Sequence, residues 1–498
     1  MSRRDVLRAV VCSVALMLAG LLGAYGAAYD VQDFSWSFDN FSATSEETPC
    51  SDDLTWAQYH LTFIDVPESK TTAGLDWELY DKVYRRKLSG PGLCFGMSLL
   101  ATAMVVQGGH LGFCPPVAQY SGALRASCWA PGVKEWVKLG PSDTLLRETI
   151  ERVHGQQLNE TFLEWVFGLI LNQQKAVPWD GRIAYQVASD NAPCLLTVSK
   201  TKNTADGAHT LVAYATEQAG SKRYIYVYDP NFSYADQRYK GLYHGKHVRV
   251  EVQNNGRWVY PMTWDVQTDS TKTYGYTYTS TQTDSWGGQP ASGGVLPLGG
   301  MLIATPLEKV VKRDRSIVAK GAALLGNALN LVFVSGGASL DQIEGVNGRG
   351  MYVEGTTTLD FDPTTGLGKA MPLPIFSGAT ADAGDTGAYL VRADGEPLRF
   401  CLEKGSGHGE LLLGAGEEEI RVRLTGEAGH DVIDVSVDGA VPTVSISSTS
   451  AGRLVWVEYA HGEGTERSVI TRWIAVPQGA TAMVRLADDA TVAAGPHP

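Results

Sequence analysis

The sequence predicts an α+β protein in two parts, a mixed first part and a β-rich second part, and three patterns carry that prediction. Helical periodicity runs through "CFGMSLLATAMVVQ" and "LRETIERVHGQQLNETFLEWVFGLILNQQ". A hairpin pattern follows, Thr210 to Thr216 and Tyr224 to Tyr228 around a glycine-containing turn. From about Gly336 apolar residues alternate with polar ones: Leu398, Phe400, Leu402, then Ile420, Val422, Leu424, then Ile433, Val435, Val437. Such short strands with glycine-marked turns suggest a β-sandwich. At 498 residues the chain exceeds what one core usually serves. With 44% apolar and 19% charged residues it has the composition of a globular protein, and its net charge of −13 argues against nucleic acid or anionic membrane surfaces as partners.

The chain opens with a processing segment, residues 1–28. Arg3, Arg4 and Arg8 precede an apolar stretch to about Leu22, and small residues at Gly26 to Ala28 suit a signal peptidase. "SRRDVLR" resembles the twin-arginine export consensus, which implies a prokaryotic protein secreted, displayed on the cell surface or held in the periplasm. The glycine-broken apolar run is too short for a membrane anchor, so no stable insertion is expected once the signal is removed. Residues 29–75 form an N-terminal extension with the acidic stretch "SATSEETPCSDD", open to reading as a leader, an inhibitory segment or an edge of the next domain.

In "SGPGLCFGMS" the chain turns and then enters a helix. Ser89 or Gly90 caps it, Pro91 suits the first helical position, and Cys94 falls in the first turn. Met97, Leu100, Ala101, Met104 and Val105 make one buried face, and Gly108-Gly109 stops the helix. Unpaired N–H groups and the helix dipole at that end favour thiolate and suit a developing oxyanion. A lone cysteine there is more often a small buried hydrophobe. A nucleophile also needs a base.

The hairpin supplies one. Pairing Leu211 with Val227 and Ala213 with Ile225 makes one apolar face and sets His209 opposite Asp229, within hydrogen-bond reach. A His-Asp pair at a strand end orients and charges a general base. "GLCFGMS", "PCLLTVSK", "AHTLVAYA" and "YIYVYDPN" together resemble the papain-like cysteine peptidase superfamily, in its bacterial branch related to bacteriocin-processing peptidases, over about residues 77–258. The resemblance implies Cys94 as nucleophile, His209 as base and later acid, Asp229 as orienting residue, and a Cys helix packed on an antiparallel sheet. It implies an exported enzyme that cleaves protein or peptide amide bonds without a cofactor. Relatives carry a Gln about six residues before the Cys for the oxyanion hole. Here that place is Leu88, and Gln58 lies too far upstream for the spacing.

A transglutaminase-like acyl transferase shares the Cys, His, Asp order, but an aromatic residue usually follows its His closely, where this chain has Thr210 and Leu211. A non-catalytic surface or adhesion protein on a peptidase-like fold is the alternative of another class. No zinc spacing is present, since there is no Cys-x-x-Cys and His244 and His247 lack suitable neighbours. Cys114 and Cys128 are spaced to close a local disulfide loop.

The catalytic domain is expected over 76–305, with "NNGRWVYPMTWDV" as further strand and the Ser/Thr/Gly-rich stretch 269–294 as a loop or linker. "MLIATPLE" reads as a strand, and "SIVAKGAALLGNALNLVFVSGG" as a small-residue helix or a buried strand pair. The β-rich C-terminal domain then spans 336–498. Its "DFDPTTG" is faintly like a calcium loop but lacks the later acidic ligand.

Overall fold

The computed structural model describes residues 29–41, 54–88, 92–123, 140–141, 143–171, 180–199, 208–235, 237–264, 274–278, 300–318, 323–326, 329–345, 349–353, 370–376, 387–405, 407–438, 441–462, 467–487 and 492–496. The export signal, Ser89 to Pro91, Cys50, Cys128, "DFDPTTG" and most of 269–294 lie outside them. The chain is mixed α+β, with antiparallel sheets. No helix among the described residues is long and apolar enough to cross a membrane.

The helices are α1 (Val31–Phe34), α2 (Trp56–Thr62), α3 (Leu75–Leu79), α4 (Cys94–Gln107), α5 (Thr144–Gly155), α6 (Glu160–Leu171), α7 (Gly181–Asp190) and α8 (Gln237–His244). The first sheet holds β1 (Cys194–Ser199), β2 (Ala208–Ala219), β3 (Lys222–Tyr228), β4 (Arg249–Gln253), β5 (Trp258–Trp264), β6 (Tyr274–Tyr278) and β7 (Leu302–Thr305), in the order β6-β5-β4-β3-β2-β1-β7. Helix α4 packs on β2 and β1.

Several expectations need correction. Helix α4 begins at Cys94 with Leu93 as its N-cap, three residues later than a start at Pro91. It has no single buried face either, because every residue from Cys94 to Met104 is buried. The segment between Thr144 and Leu171 is helical as expected, in two α-helices joined by a 3-10 turn at Gln156–Leu158. Inside the stretch read as a linker, Tyr274–Tyr278 is a strand paired with β5. Cys114 carries a free thiol, so no local loop is closed through it.

The hairpin register also differs. Val212 faces Tyr228 and Ala213 faces Val227, and a bulge at Tyr214 then sets Thr216 opposite Ile225. The cause is the turn, which lies at Gly220 and Ser221 instead of Ala219 and Gly220, together with the extra residue in the bulge. Continued outward, this register puts Asp229 opposite Leu211, so His209 and Asp229 are diagonal neighbours.

The N-terminal extension is built into the first core. Phe34, Trp36, Phe38 and Phe41 are buried with Tyr59, Phe63 and the α4 side chains. Trp36 Nε1 donates to the Met97 carbonyl at 3.1 Å, and Ser233 Oγ donates to the Trp36 carbonyl at 2.7 Å.

Two further seven-stranded antiparallel sheets form the C-terminal part. One contains β8 (Asn330–Ser335), β11 (Ala370–Pro372), β12 (Gly387–Val391), β14 (Gly407–Ala415), β15 (Glu418–Gly426), β18 (Arg453–His461) and β19 (Ser468–Val476). The other contains β9 (Ala338–Gly345), β10 (Arg349–Val353), β13 (Leu398–Lys404), β16 (Gly429–Asp438), β17 (Val441–Ser448), β20 (Ala480–Arg485) and β21 (Val492–Pro496). Val422 and Leu424 from one and Phe400, Ile433 and Val435 from the other share a single apolar core.

The first of these sheets is buried on both faces. On β8, Leu331 and Phe333 belong to the core of the α-containing part while Val332 and Val334 belong to the inter-sheet core. On β14, Leu412 faces the first and Leu411 and Leu413 the second. A strand covered on both sides reads as a continuous apolar run, which is why "NLVFVS" carries no alternation. Ion pairs flank this contact, Glu78 with Arg421 at 2.5 Å and Lys82 with Glu410 at 2.9 Å.

Candidate functional site

Cys94 stands at the first position of α4, at the positive end of the helix dipole, where Gly96 N already donates to His154 Nδ1 at 3.3 Å. Two glycines make the placement possible. Gly92 has φ +137°, and a side chain there would run into the Asn40 amide. Gly96 lies against α5, where a Cβ would meet the Ile150 carbonyl and His154. Leu93 N donates to the Phe41 carbonyl at 2.9 Å and Asn40 N to the Pro230 carbonyl at 2.7 Å, so residues 40 and 41 tie the loop before Cys94 to the loop after Asp229.

His209 is the second residue of β2, and Asp229 follows the last residue of β3. His209 Nε2 lies 2.7 Å from Asp229 Oδ1. Cys94 is the other group that acts on the ring, raising its pKa alongside Asp229. The structure thus brings all three predicted residues together, at 1%, 3% and 0% exposure for Cys94, His209 and Asp229.

Burial alone would lower the pKa of His209. The Asp229 carboxylate and its hydrogen bond to the ring, with Cys94 alongside, outweigh it, and the imidazole is pushed up to about 10. Burial would raise the Asp229 carboxyl, but the His209 charge and hydrogen bonds from His209, Tyr260 and the Asn231 backbone hold it below its ordinary value. An imidazolium between a carboxylate and a sulfur can pass a proton to or from a group bound at the sulfur.

Residues that sequence reasoning missed support the triad. Tyr260 on β5 donates to Asp229 Oδ2 at 2.7 Å, and Asn231 N donates to Asp229 Oδ1 at 2.8 Å. Asn40 Nδ2 donates to Asn231 Oδ1 at 2.9 Å. "YDPN" carried a signal for Asn231, since Asp before Pro-Asn is a turn that hydrogen-bonds its own backbone. Nothing in the local sequence marked Asn40 or Tyr260.

Leu88, at the place where the papain-like resemblance calls for a Gln, is fully buried among apolar side chains. Gln58 spends its amide elsewhere, accepting from Thr55 N at 2.6 Å and donating to Glu151 Oε2 at 2.5 Å. The amide that does stand against the loop before Cys94 is that of Asn40, whose Oδ1 is buried with no hydrogen-bond partner among the described residues. Among the described residues no group of three or more His, Cys, Asp or Glu side chains is placed to hold a metal ion. No protein-family model, curated protein or solved structure matches this chain.

Proposed function

We propose that the chain is an exported cysteine peptidase of papain-like type, hydrolysing peptide amide bonds through Cys94, His209 and Asp229. The observation that carries the reading is a buried His209 with Nε2 2.7 Å from Asp229 Oδ1, its pKa raised in part by a cysteine that opens a helix. In this reading Cys94 Sγ attacks the substrate carbonyl, the C–N bond breaks, and His209 gives its proton to the departing amine. Water then attacks the thioester while His209 takes its proton, releasing the acid and restoring the starting thiolate–imidazolium pair. Asp229 keeps the ring aligned throughout. The twin-arginine-like start supports export, and the partner is a protein or peptide substrate.

The seclusion of Cys94 favours a second reading, a non-catalytic surface or adhesion protein that keeps the arrangement without turnover. Overnight incubation with an epoxysuccinyl peptide followed by mass spectrometry separates the two. The peptidase reading expects an adduct on Cys94 that is lost in His209→Ala. An unmodified Cys94, or equal labelling without His209, overturns it.

A further inference from the structure

The atom that closes the site belongs to the C-terminal part. After β11, which pairs with β12 in the second sheet, the chain leaves that sheet, and Leu373, Ile375 and Phe376 enter the first core at 2%, 1% and 0% exposure. The Phe376 carbonyl oxygen lies 3.9 Å from Cys94 Sγ and accepts a hydrogen bond from Thr210 Oγ1 at 2.7 Å. Phe376 N donates to Gln157 Oε1 at 2.8 Å. Its ring lies 5.1 Å from that of Phe162 and 6.2 Å from that of Phe95.

Each of these contacts treats Phe376 as a peptide residue to be recognised. A carbonyl within reach of the nucleophile is what an acyl-donor peptide presents. Both backbone polar groups are met by side chains of the α-containing part, and these are themselves held: Gln157 Nε2 donates to the His154 carbonyl at 2.9 Å, and Thr210 Oγ1 is 2.9 Å from Thr197 Oγ1. Thr210 and Gln157 are both fully buried. The ring fills an aromatic pocket in which Phe162 is in turn stacked on Trp165.

We propose that Leu373–Phe376 is a pseudosubstrate bound in cis, holding the thiol latent in the pocket that receives an aromatic residue on the acyl side of the peptide to be cut. The inference rests on the peptidase reading and names the substrate class of that site: peptides with Phe, or a similar aromatic side chain, whose carbonyl meets Cys94.

The test reads iodoacetamide alkylation of Cys94 at pH 7 by mass spectrometry in the full chain, alongside circular dichroism. Phe376→Ala is expected to raise the rate about tenfold and Thr210→Val about threefold, because reaction follows the fraction of molecules with the site open. Acetyl-Leu-Pro-Ile-Phe-amide should slow alkylation of the opened protein back toward the wild-type rate, and acetyl-Leu-Pro-Ile-Gly-amide should not. Thr210→Val is close to isosteric and carries the test if Phe376→Ala does not fold. Unchanged rates in the folded variants, or equal protection by the two peptides, overturn the proposal. Opening and selective protection without release of aminomethylcoumarin from acetyl-Leu-Pro-Ile-Phe-aminomethylcoumarin would keep the occupied pocket and reject the peptidase reading.

Discussion

Tyr260 gives its phenolic hydroxyl to Asp229 Oδ2 at 2.7 Å, while the other oxygen of the same carboxylate faces His209. Strand β5, which carries Tyr260, is separated by β4 from the strand that leads into Asp229, so the site is braced across three strands of one sheet. Each partner of the carboxylate fixes the imidazole a little more firmly.

Tyr260→Phe therefore removes a hydrogen bond to a buried charge and leaves the packing. A loss of about 1.5–3 kcal/mol of stability is expected. Urea unfolding would measure it, and an unchanged midpoint would mean the phenol does not hold the carboxylate.

The pair also sets a pH dependence. Folding raises the His209 pKa from an ordinary value of ~6.5 to about 10, so the native state binds the extra proton. Its contribution is complete below the ordinary value and is lost as pH rises through about 10. Asp229 is depressed, so its contribution is present above the ordinary carboxylate value and disappears as pH falls through the lower folded value. Unfolding free energy should decline on the alkaline side between these two His209 values, and His209→Gln should flatten that limb. A limb that survives the substitution would belong to other groups.

The sulfur's reactivity should follow its partner. In a protein whose site has been opened by Thr210→Val, adding His209→Ala removes the cation facing Cys94, and alkylation at pH 6 is expected to slow about tenfold or more. Asp229→Asn acts through ring orientation, so it should affect turnover more than alkylation. Equal rates with and without His209 would sink the triad.

Truncation probes the cores. A chain ending at Val318 keeps the whole first sheet but loses Leu331, Phe333, Ile375, Phe376, Leu390 and Leu412 from the first core. Burying such a side chain contributes about 1.5–3 kcal/mol, and the whole stability of a protein is only about 5–15 kcal/mol. The fragment should lack a cooperative unfolding transition by circular dichroism. A fragment that folds and alkylates at Cys94 would show that the first core closes without them.

Much of the site was legible because its signals are local. Cys94 announced itself through turn residues followed by a helix pattern, and His209 and Asp229 through strand ends in one hairpin. Their contact survived a wrong register because a shift of two residues returns every side chain to its original face, leaving the two as diagonal neighbours still within reach of an imidazole. The bulge at Tyr214 left no mark in the alternation. Contacts made over long sequence distances were silent. Nothing near Asn40 points to Gly92, and nothing in "PLPIF" points to a thiol 282 residues earlier. Helix α4 was read as one-faced because segments distant in the sequence, both before and after it, cover its other sides.

The sheet that contains β8 and β14 has a consequence for how such a chain can change over generations. It is a party wall, with one face finishing the chamber around the thiol and the other finishing the chamber behind it. A recombination event that exchanged the C-terminal half for an unrelated β module would remove Phe333 and Leu412 from under the α-containing half along with the rest, so the two halves are heritable only together. Drift at neighbouring positions of one strand, such as Leu411 and Leu412, is answerable to different interiors, and such a strand should tolerate fewer substitutions than an outer one like β19.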